Sequence, residues 1–541
     1  MIRERVTGAL RGLAQGPKSI AVIAGSGIIQ PYSPARLRRV VSAVARWGTG
    51  PAGGYQALAA RLPDEIGLID ERGSLTFGDI DRRTNALADA LSGLGVSEGD
   101  GVALMCRNHR GFVEATVAVA KLGADILYLN TAFAAPQIAE VLEREKPAAI
   151  IYDEEFAELV GERETGPLRI IAWSDGEPER STLDSLIEDG NPARRKPPGR
   201  PARSIILTSG TTGTPKGAAR GGGGSFGAAV SLLSAIPLRH RWTCHIAAPL
   251  FHTWGWAHLQ LSMLLGSTVV LRRRFDPEDC LAVTQRYSCD SLVVIPVMLQ
   301  RIMELPKEVR SAYTLDSVRV VAASGSALPG DLAQSWMDEF GDHLFNIYGS
   351  TECAWATIAS PTDLRLAPGT AGRPPMGTVV RLYDEKGQKV PTGEPGRIFV
   401  GNSMLFEGYT GGGSKDVIDG LMATGDVGRF DESGRLYVEG RDDEMIVSGG
   451  ENVYPSEVED CLVRHPHVVE AAAIGVDDEQ FGQRLRAYVV VRDRDAASAD
   501  DLREHVKRNL ARYKVPRDVE FLDELPRNAT GKVLKRDLDA D

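Results

Sequence analysis

The chain has 541 residues, of which 43% are apolar, 25% charged and 6% aromatic, and its formal net charge at pH 7 is −11. Such a length exceeds that of one ordinary domain and predicts at least two. The acidic balance excludes a surface that coats nucleic acid, because phosphate binding depends on clustered Lys and Arg. The six cysteines are scattered without a metal-ligand spacing, which predicts reduced, mostly buried thiols in a cytoplasmic protein.

Two segments within the first fifty residues bear on whether the protein associates with a membrane. The apolar run over 20–29 is interrupted by Gly25, Ser26 and Gly27, so it is too short to span a bilayer or to form the core of a signal peptide. Residues 36–47 predict a basic amphipathic helix. This helix can lie peripherally on the inner face of a membrane, or it can pack its Val and Leu side chains on the main domain. The sequence leaves both interpretations open.

Apolar strand-like runs alternate with helical patterns from about residue 68 to residue 130, and again after residue 204. The predicted segments are helices over 85–94 and 112–122 and strands over 102–105, 204–207, 291–295, 318–322 and 344–348. This alternation is typical of βαβ units. It predicts an α/β fold whose parallel sheets carry helices on both faces.

A stretch rich in glycines and hydroxyl groups, TSGTTGTPKG over 208–217, directly follows the predicted strand over 204–207. Glycines let the backbone curl so that its N–H groups form a concave anion site, and Lys216 adds a charge suited to phosphate. The stretch is not a Walker A loop, because Pro215 precedes the lysine and no Ser or Thr follows it. It therefore predicts a nucleotide site built differently from that of a P-loop ATPase. The alternative is a flexible surface loop.

Two further loops, over 324–329 and 349–352, also follow predicted strands. Ligands of open α/β sheets gather at the carboxyl ends of the strands. We therefore expect these loops and the glycine-rich stretch to face one site.

The sequence changes character twice beyond this region. Short strands, many glycines and turn signals over 376–440 predict a β-rich subdomain. From about residue 444 a new α/β unit begins, long enough for its own small core. The predicted division is an N-terminal arm (1–50), a large domain of parallel α/β sheets with the β-rich subdomain (51–440), a hinge (441–443) and a small mobile C-terminal α/β domain (444–541).

Five motifs occur in one order along the chain. They are TSGTTGTPKG (208–217), PLFHTWGW (249–256), NIYGSTE (346–352), TGD with GRDDEMIVSGGENVYPSEVE (424–459) and PRNATGKVLKRDL (526–538). Together they resemble the adenylate-forming superfamily of acyl-CoA synthetases, nonribosomal adenylation domains and luciferases, and look most like bacterial medium- and long-chain fatty acyl-CoA ligases. The resemblance implies a reaction that uses ATP, Mg²⁺ and coenzyme A. A carboxylate attacks the α-phosphate to give an acyl-adenylate and pyrophosphate, and a thiol then displaces AMP.

The resemblance also implies a nucleotide site. Tyr348 would stack on adenine, and Thr351 would contact the α-phosphate. Asp426 and Arg441 would bind the ribose, because a carboxylate can accept hydrogen bonds from both ribose hydroxyls. The expected ATP- and AMP-binding residues are Thr208, Ser209, Gly210, Thr211, Thr212, Gly213, Thr214, Lys216, Gly325, Ser326, Tyr348, Gly349, Thr351, Asp426, Arg441 and Lys532.

Catalysis, thiol entry and domain movement are assigned by the same resemblance. Glu352 would hold Mg²⁺, which prefers hard oxygen ligands. Lys532 would bridge the substrate carboxylate and the α-phosphate as charge builds there. Ser448, Gly449 and Gly450 would line the tunnel for the pantetheine arm of coenzyme A, and Asp443 would be the hinge. The expected catalytic residues are Lys532, Thr351, Glu352 and His252.

His252 bears on the choice of acid. Amino-acid-activating relatives carry an aspartate after the corresponding phenylalanine, whereas His252 provides no anion for an α-ammonium group. The expected acyl pocket comprises His252, Trp254, Gly255 and Gly325. The apolar residues that follow Trp254 favour a medium- or long-chain fatty acid, with aryl acids as the next choice.

Other functions remain open at this point. An acyl-AMP ligase would pass its product to an acyl carrier protein, although no insertion of the kind that blocks coenzyme A occurs between the motifs. A non-catalytic AMP-binding scaffold would not need the intact Lys532, Glu352 and Thr351. The expected partners are small molecules and not nucleic acid, and the sequence leaves a homodimer open.

Overall fold

The computed structural model describes residues 16–161, 166–178, 180–208, 216–220, 226–406, 408, 414–442, 446–448, 451–478, 482–494, 496–510, 514–528 and 531–538. Every element and contact given below lies within these ranges.

The described residues form twenty-four strands. They are β1 (Ile66–Asp70), β2 (Gly73–Thr76), β3 (Gly101–Met105), β4 (Asp125–Tyr128), β5 (Ala149–Asp153), β6 (Leu168–Trp173), β7 (Ser204–Thr208), β8 (Lys216–Arg220), β9 (Thr243–Ile246), β10 (Thr268–Val270), β11 (Ser291–Val294), β12 (Val320–Ala323), β13 (Leu344–Ser350), β14 (Ala354–Ala359), β15 (Val379–Tyr383), β16 (Gly396–Gly401), β17 (Val417–Ile418), β18 (Leu421–Phe430), β19 (Leu436–Arg441), β20 (Ile446–Ser448), β21 (Glu451–Val453), β22 (Val468–Asp478), β23 (Gly482–Val491) and β24 (Asp518–Phe521).

The same residues form seventeen α-helices and two short 3₁₀ turns, at Glu154–Phe156 and Lys535–Asp537. The α-helices are α1 (16–25), α2 (Pro34–Trp47), α3 (Pro51–Arg61), α4 (Phe77–Gly93), α5 (Arg110–Leu122), α6 (Ala135–Glu145), α7 (Ala157–Val160), α8 (Leu183–Asp189), α9 (Phe226–Leu233), α10 (Thr253–Leu265), α11 (Pro277–Arg286), α12 (Pro296–Met303), α13 (Lys307–Arg310), α14 (Gly330–Phe340), α15 (Pro361–Leu366), α16 (Pro455–Val463) and α17 (Ala499–Asn509). Among the described helices, none is both long and apolar enough to cross a bilayer.

Two largely parallel sheets dominate the chain up to residue 359. One has eight strands in the order β14-β13-β12-β11-β9-β10-β1-β2, and the other has six in the order β6-β5-β3-β4-β7-β8. The predicted α/β fold class is therefore confirmed. The edge strands β2, β8 and β14 are antiparallel to their neighbours, which was not predicted. The burial pattern does not reveal strand direction here, because the parallel strands β11 and β12 and the antiparallel strand β14 all bury every residue.

The helices between these strands have sequence-encoded ends and buried faces. Thr76 and Asp79 form a capping box at the start of α4, with hydrogen bonds in both directions between side chain and backbone. Helix α5 is buried along its whole length and ends at Gly123, whose φ of 73° lies in the left-handed region that glycine tolerates. One apolar cluster joins α4 and α5 to α10, α12 and α14 beneath both sheets. The six cysteines are all buried and unpaired, as predicted.

Two smaller sheets follow. The first, of strands β15 to β19, is antiparallel and occupies the region of the predicted β-rich subdomain. The second comprises β20 to β24 and packs on α16 and α17 around an apolar cluster of its own, which includes Val458, Leu485 and Leu502. The C-terminal unit thus buries an apolar core of its own.

Candidate active site

Two of the three predicted site loops, over 324–329 and 349–352, lie at one edge of the eight-stranded sheet, whereas the glycine-rich stretch follows β7 of the six-stranded sheet. Strands β9, β11, β12 and β13 are parallel neighbours, so their carboxyl ends point the same way. His252 lies at the start of α10 after β9, Gly325 follows β12, and Tyr348 lies near the end of β13. These three predicted residues therefore lie at the carboxyl-end edge of neighbouring parallel strands, where open α/β sheets bind ligands.

The Tyr348 ring carries a hydroxyl that reaches the β-rich sheet. It donates a 2.6 Å hydrogen bond to the Asp426 carboxylate and lies 3.2 Å from the Thr424 hydroxyl. Burial and the adjacent carboxylate raise the pKa of Tyr348, so the phenol keeps its proton and donates. Thr424 was not assigned a role from the sequence, although it begins the TGD motif.

The Asp426 carboxylate has a second charged partner. Asp426 on β18 pairs with Arg441 on β19 in the strand ladder, and an Arg441 guanidinium N–H donates to the carboxylate over 3.3 Å. A guanidinium and a phenol thus act on opposite oxygens of one half-buried carboxylate. This arrangement brings together the two residues expected at the ribose.

The turn after β13 is held by hydroxyl groups. The Ser350 hydroxyl accepts from the backbone N–H groups of Glu352 and Cys353, each over 3.3 Å. The Thr351 hydroxyl lies 3.3 Å from that of Thr253 at the first turn of α10. Thr253 was also not singled out in the sequence. Its contact joins the expected phosphate residue to the helix that carries His252.

Gly349 and Gly325 lie at close approaches of the backbone. A Cβ at Gly349 would lie 1.8 Å from the Ala354 carbonyl oxygen across the β13–β14 pair, so no other residue fits there. Gly325 has φ of 107° and is exposed, as is Ser326, and a Cβ at Gly325 would approach the Ile295 side chain to 3.3 Å. The Ser324 hydroxyl donates to the Ile347 carbonyl over 2.8 Å and ties this loop to β13.

The glycine-rich stretch connects two paired strands. Thr208 and Lys216 are backbone partners at the end of the β7–β8 hairpin. Ser209, Gly210, Thr211, Thr212, Gly213 and Thr214 lie outside the described residues, between these two strands.

The predicted pocket residues on and next to helix α10 differ in their burial and in their contacts. Burial lowers the pKa of His252 to about 4, so the imidazole is neutral near pH 7. The Trp254 indole N–H donates to the Val294 carbonyl over 3.0 Å, and its ring meets the His258 ring edge-on at 4.1 Å. A Cβ at Gly255 would lie 2.3 Å from the Pro249 carbonyl oxygen, so this glycine allows the helix to approach backbone. Trp256 packs against Tyr128, within the core.

A second buried indole was not named among the expected pocket residues. Trp355 follows the Glu352 turn on β14, and its N–H donates to the Ser231 hydroxyl on α9 over 3.0 Å. Trp355 is 8% exposed and belongs to the same apolar cluster as Trp254. Its position three residues after Glu352 was the only sequence signal available.

The turn that carries Lys532 approaches the large domain. Within this turn the Lys532 backbone N–H donates to the Asn528 side chain over 2.9 Å, and Arg527 bridges to Val533. Gly531 has φ of 77°, and a Cβ there would lie 2.4 Å from the Val297 side chain. The turn therefore packs against Ile295 and Val297 at the start of α12, and Lys532 within it is exposed.

The residues expected at the thiol tunnel and the hinge are only partly described. Ser448 is the last residue of β20, whereas Gly449, Gly450 and Asp443 lie outside the described residues. Asp442, the residue before Asp443, forms a 2.8 Å ion pair with Arg397 on β16.

Comparison with known protein families decides the wider assignment. The family model for AMP-binding enzyme matches residues 55–410, and that for AMP-binding enzyme C-terminal domain matches residues 457–532. The chain belongs to the AMP-binding enzyme family. As a member of this adenylate-forming superfamily it falls in the group that the five motifs indicated.

Similar members of the AMP-binding enzyme family carry names of acid–CoA ligases. A feruloyl-CoA synthase of Amycolatopsis sp is 34% identical over 89% of this chain and 97% of its own length. A 2-succinylbenzoate–CoA ligase of Bacillus licheniformis is 32% identical over 89% and 98%. An indoleacetate–CoA ligase of Aromatoleum aromaticum is 31% identical over 86% and 92%. These relatives support adenylate-forming acid–CoA ligase activity that uses ATP and CoA.

Solved structures agree on the fold. An o-succinylbenzoate CoA synthetase from Bacillus subtilis, in complex with its acyl-adenylate intermediate, superposes with a TM-score of 0.78 at 28% identity, covering 90% of this chain and 98% of that one. An anthranilate CoA ligase in complex with anthranoyl-AMP gives a TM-score of 0.81 at 24% identity, covering 90% and 96%.

Proposed function

We propose that this AMP-binding enzyme converts an apolar aromatic carboxylic acid to its CoA thioester in two steps at the edge formed by β11, β12 and β13. The acid carboxylate attacks the α-phosphate of ATP, releasing pyrophosphate, and the CoA thiol then displaces AMP. The observation that carries the proposal is the convergence of Tyr348, Asp426 and Arg441 in one hydrogen-bonded group, with the Lys532 turn beside the neighbouring loop.

In the first step, the ribose would bind at Asp426, whose carboxylate is fixed by a phenol on one side and a guanidinium on the other. Lys532 would place its ammonium between the substrate carboxylate and the α-phosphate, which must approach each other. Its positive charge would lower the electrostatic repulsion between these two anions. Thr351, held by Thr253, would donate to the α-phosphate. A hydroxyl set of this kind is effective because it is oriented before charge develops.

Mg²⁺ fits the donors available here. The Glu352 carboxylate and the hydroxyls of Thr351 and Thr253 are hard oxygen groups, the type that Mg²⁺ prefers. When bound, the ion would neutralise triphosphate charge. Glu352 would hold it, and the turn fixed by Ser350 would set the direction of that carboxylate.

Two indoles held in place by hydrogen bonds favour an aromatic acid as the substrate. Trp254 and Trp355 are each anchored by a buried hydrogen bond of 3.0 Å, to Val294 and to Ser231. Rigid indoles favour flat rings through edge-to-face and offset contacts, and they do not yield easily to a long flexible chain. The names of the similar ligases point the same way, since ferulate, 2-succinylbenzoate and indoleacetate are all aromatic acids.

A medium- or long-chain fatty acid is the second candidate. It is favoured by the apolar composition of α10 between Leu259 and Leu265.

One experiment separates the two acids. The enzyme, ATP, Mg²⁺ and CoA are incubated with benzoate, indoleacetate, ferulate and a graded series of straight-chain acids, and kcat/KM is obtained from acyl-CoA detected by mass. We expect an aromatic acid to give the highest value. For a fatty acid enzyme, each added methylene would raise kcat/KM about fourfold until the tunnel ends. A steady rise of this kind, ending above every aromatic acid, would decide for the fatty acid.

A second arm of the experiment tests the acceptor. Hydroxylamine trapping reports the acyl-adenylate independently of CoA. Adenylate that forms with every acid but never gives acyl-CoA would overturn the CoA step and favour a carrier protein as acceptor.

A further inference from the structure

The N-terminal helices expose apolar side chains at an unusual density. The described residues include twelve large hydrophobic side chains that are exposed, and five of them lie within residues 16–47. These five are Ile20, Ile29, Leu37, Val41 and Val44, with exposures from 37% to 63%. Scattered exposed hydrophobics are normal on a soluble surface, whereas a local concentration marks an interaction surface.

The same residues carry a charge opposite to that of the rest of the chain. Residues 16–47 contain five basic residues and no Asp or Glu, a net charge of +5. Because the whole chain has a net charge of −11, the remainder carries −16. The basic residues are Lys18, Arg36, Arg38, Arg39 and Arg46. The four arginines of α2 form no ion pair with any described residue.

The helices are anchored, so the exposed faces have fixed directions. Ile23 of α1 enters the main apolar cluster, and the His240 backbone N–H donates to the Ser26 carbonyl over 2.8 Å. Ala43 and Trp47 of α2 are buried against the large domain. Leu37, Val41 and Val44 are exposed, so the interpretation in which α2 packs its Val and Leu side chains on the main domain does not hold for these three residues. The small Ala43 and the Trp47 ring form the inward face instead.

The exposed stripe of α2 follows helical periodicity. Leu37, Val41 and Val44 are spaced four and three residues apart, so they share one face, about 100° around the helix from Ala43 and Trp47. Arg36 and Arg38 lie about 100° to either side of this stripe, so their long side chains can extend alongside it, whereas Arg39 lies on the opposite side of the helix.

We propose that this surface, the exposed face of residues 16–47, docks the enzyme on an anionic lipid membrane, with Leu37, Val41 and Val44 among the acyl chains and the arginines at the headgroups. An amphipathic helix with a basic polar part lies in the interface in this way. Charge complementarity selects this occupant. A second copy in a two-fold dimer would place one +5 surface against another, which is repulsive.

Vesicle sedimentation of the full chain tests the proposal. The vesicles contain either phosphatidylcholine alone or equal parts of phosphatidylcholine and phosphatidylglycerol. We expect binding to the anionic vesicles, much weaker binding to the neutral ones, and loss of binding at about 0.5 M NaCl because salt screens the attraction. The combined variant Arg36→Gln, Arg38→Gln, Arg39→Gln should bind on the order of a hundredfold more weakly.

Matched variants separate this surface from general effects. Leu37→Gln, Val41→Gln and Val44→Gln together should lower the partition coefficient at least tenfold, since the apolar contribution is lost. Leu366→Gln with Val417→Gln removes equally exposed side chains elsewhere, and Arg274→Gln with Arg494→Gln and Arg508→Gln removes exposed arginines elsewhere. These controls should bind as the unaltered chain does.

Three outcomes would overturn the proposal. The first is no binding to anionic vesicles at low salt. The second is equal binding by the α2 variants and their controls. The third is a dimer in light scattering that the Leu37, Val41 and Val44 substitutions dissociate, which would assign the surface to a second copy. Acyl-CoA formation from a water-soluble acid should be unchanged in every variant, which shows that each one is folded.

Discussion

At the scale of single residues, the Asp426 carboxylate is the most closely controlled group of the site. It accepts from the Tyr348 phenol over 2.6 Å and pairs with the Arg441 guanidinium over 3.3 Å. A carboxylate fixed from two sides loses little freedom when it binds a ribose, so more of its interaction energy goes into binding. Tyr348, expected only to stack on adenine, would then also position Asp426.

Tyr348→Phe tests this positioning role. The variant keeps the ring and removes the hydroxyl, and a hydrogen bond to a charged group contributes roughly 1.5–3 kcal/mol. We expect the KM for ATP to rise about tenfold or more in ATP–pyrophosphate exchange, with a smaller change in kcat. Tyr383→Phe is the control, because Tyr383 is buried and also donates to a carboxylate, that of Asp419, outside the site. An unchanged KM for ATP in Tyr348→Phe would remove the positioning role.

Lys532→Ala probes the adenylation step. We expect acyl-adenylate formation to fall roughly 10²–10³-fold, the usual effect of losing one oriented donor at a developing charge. Thioester formation from preformed acyl-adenylate and CoA should be largely retained, because the expected role of Lys532 ends with the first step. The two half-reactions are measured separately, by pyrophosphate release and by acyl-CoA yield. An equal fall in both would show that the role is misassigned.

Buried histidines predict how stability depends on pH. Burial lowers the pKa of His245 and His258 to about 4, well below the ordinary value of about 6.5. Between these values the unfolded chain binds protons that the folded chain does not, so the free energy of unfolding falls as the pH falls from 6.5 to 4. Each histidine contributes a slope of at most about 1.4 kcal/mol per pH unit.

Urea unfolding at several pH values checks this slope. His258→Gln should show a shallower decline than the unaltered chain below pH 6.5, although its stability at pH 7 is lower. Exposed His467→Gln serves as the control and should leave the slope unchanged. If all three proteins lose stability in parallel, buried imidazoles are not the cause.

At the scale of elements, the turn over 526–534 places Lys532, and Gly531 is the residue on which its placement depends. Gly531→Ala would strain a backbone at φ of 77° and bring a methyl group to 2.4 Å from Val297. We expect adenylation to fall at least tenfold while the thioester step is retained. Val297→Ala added to this variant should recover part of the activity, because it removes the clash.

A control variant distinguishes the backbone strain at Gly531 from its contact with Val297. Gly434→Ala also introduces a side chain at a positive φ, of 75°, but into open space. It should affect thermal stability slightly and adenylation not at all. If Val297→Ala fails to restore any activity in the double variant, the turn does not approach the large domain during adenylation.

The elements that hydrophobic patterns specify were predicted well from the sequence. The predicted strand over 102–105 is observed as Gly101–Met105, and the predicted helix over 112–122 as Arg110–Leu122. The predicted helix over 85–94 is the second half of a longer one, Phe77–Gly93, because the polar capping residues at its start carry no hydrophobic signal. Strand order and the antiparallel edges depend on contacts between distant segments, which local patterns do not record.

Within the site, the sequence predicted which residues take part better than it predicted where their side chains point. The motifs placed Tyr348, Asp426 and Arg441 in one site, but not the hydrogen bonds between them. Trp254 and Trp256 are two residues apart on α10, so they project in different directions, and only three-dimensional packing distinguishes the ring on His258 from the ring on Tyr128. Trp355 was not named from the sequence, because its position three residues after Glu352 does not show where its ring points.

At the scale of the whole molecule, the C-terminal unit must serve two steps at one site. The Lys532 turn lies against the large domain, whereas Ser448 belongs to a different edge of the same unit, at the end of β20. One rigid placement cannot easily offer both to the same α-phosphate. We expect the unit beyond residue 443 to rotate between the half-reactions. Because Arg397 on the large domain forms an ion pair with Asp442, we propose the next residue, Asp443, as the pivot.

Asp443→Pro tests this rotation. Proline fixes φ near −65° and removes the N–H, so it should hold the C-terminal unit in the placement that presents Lys532. We expect pyrophosphate release to remain within about threefold of the unaltered enzyme and acyl-CoA yield to fall at least a hundredfold, the loss expected when an essential conformational step is blocked. Asp443→Ala removes the same carboxylate without fixing φ and should retain both steps. Equal loss of acyl-CoA in the alanine variant would assign the effect to the side chain, and undiminished acyl-CoA in the proline variant would place the pivot elsewhere.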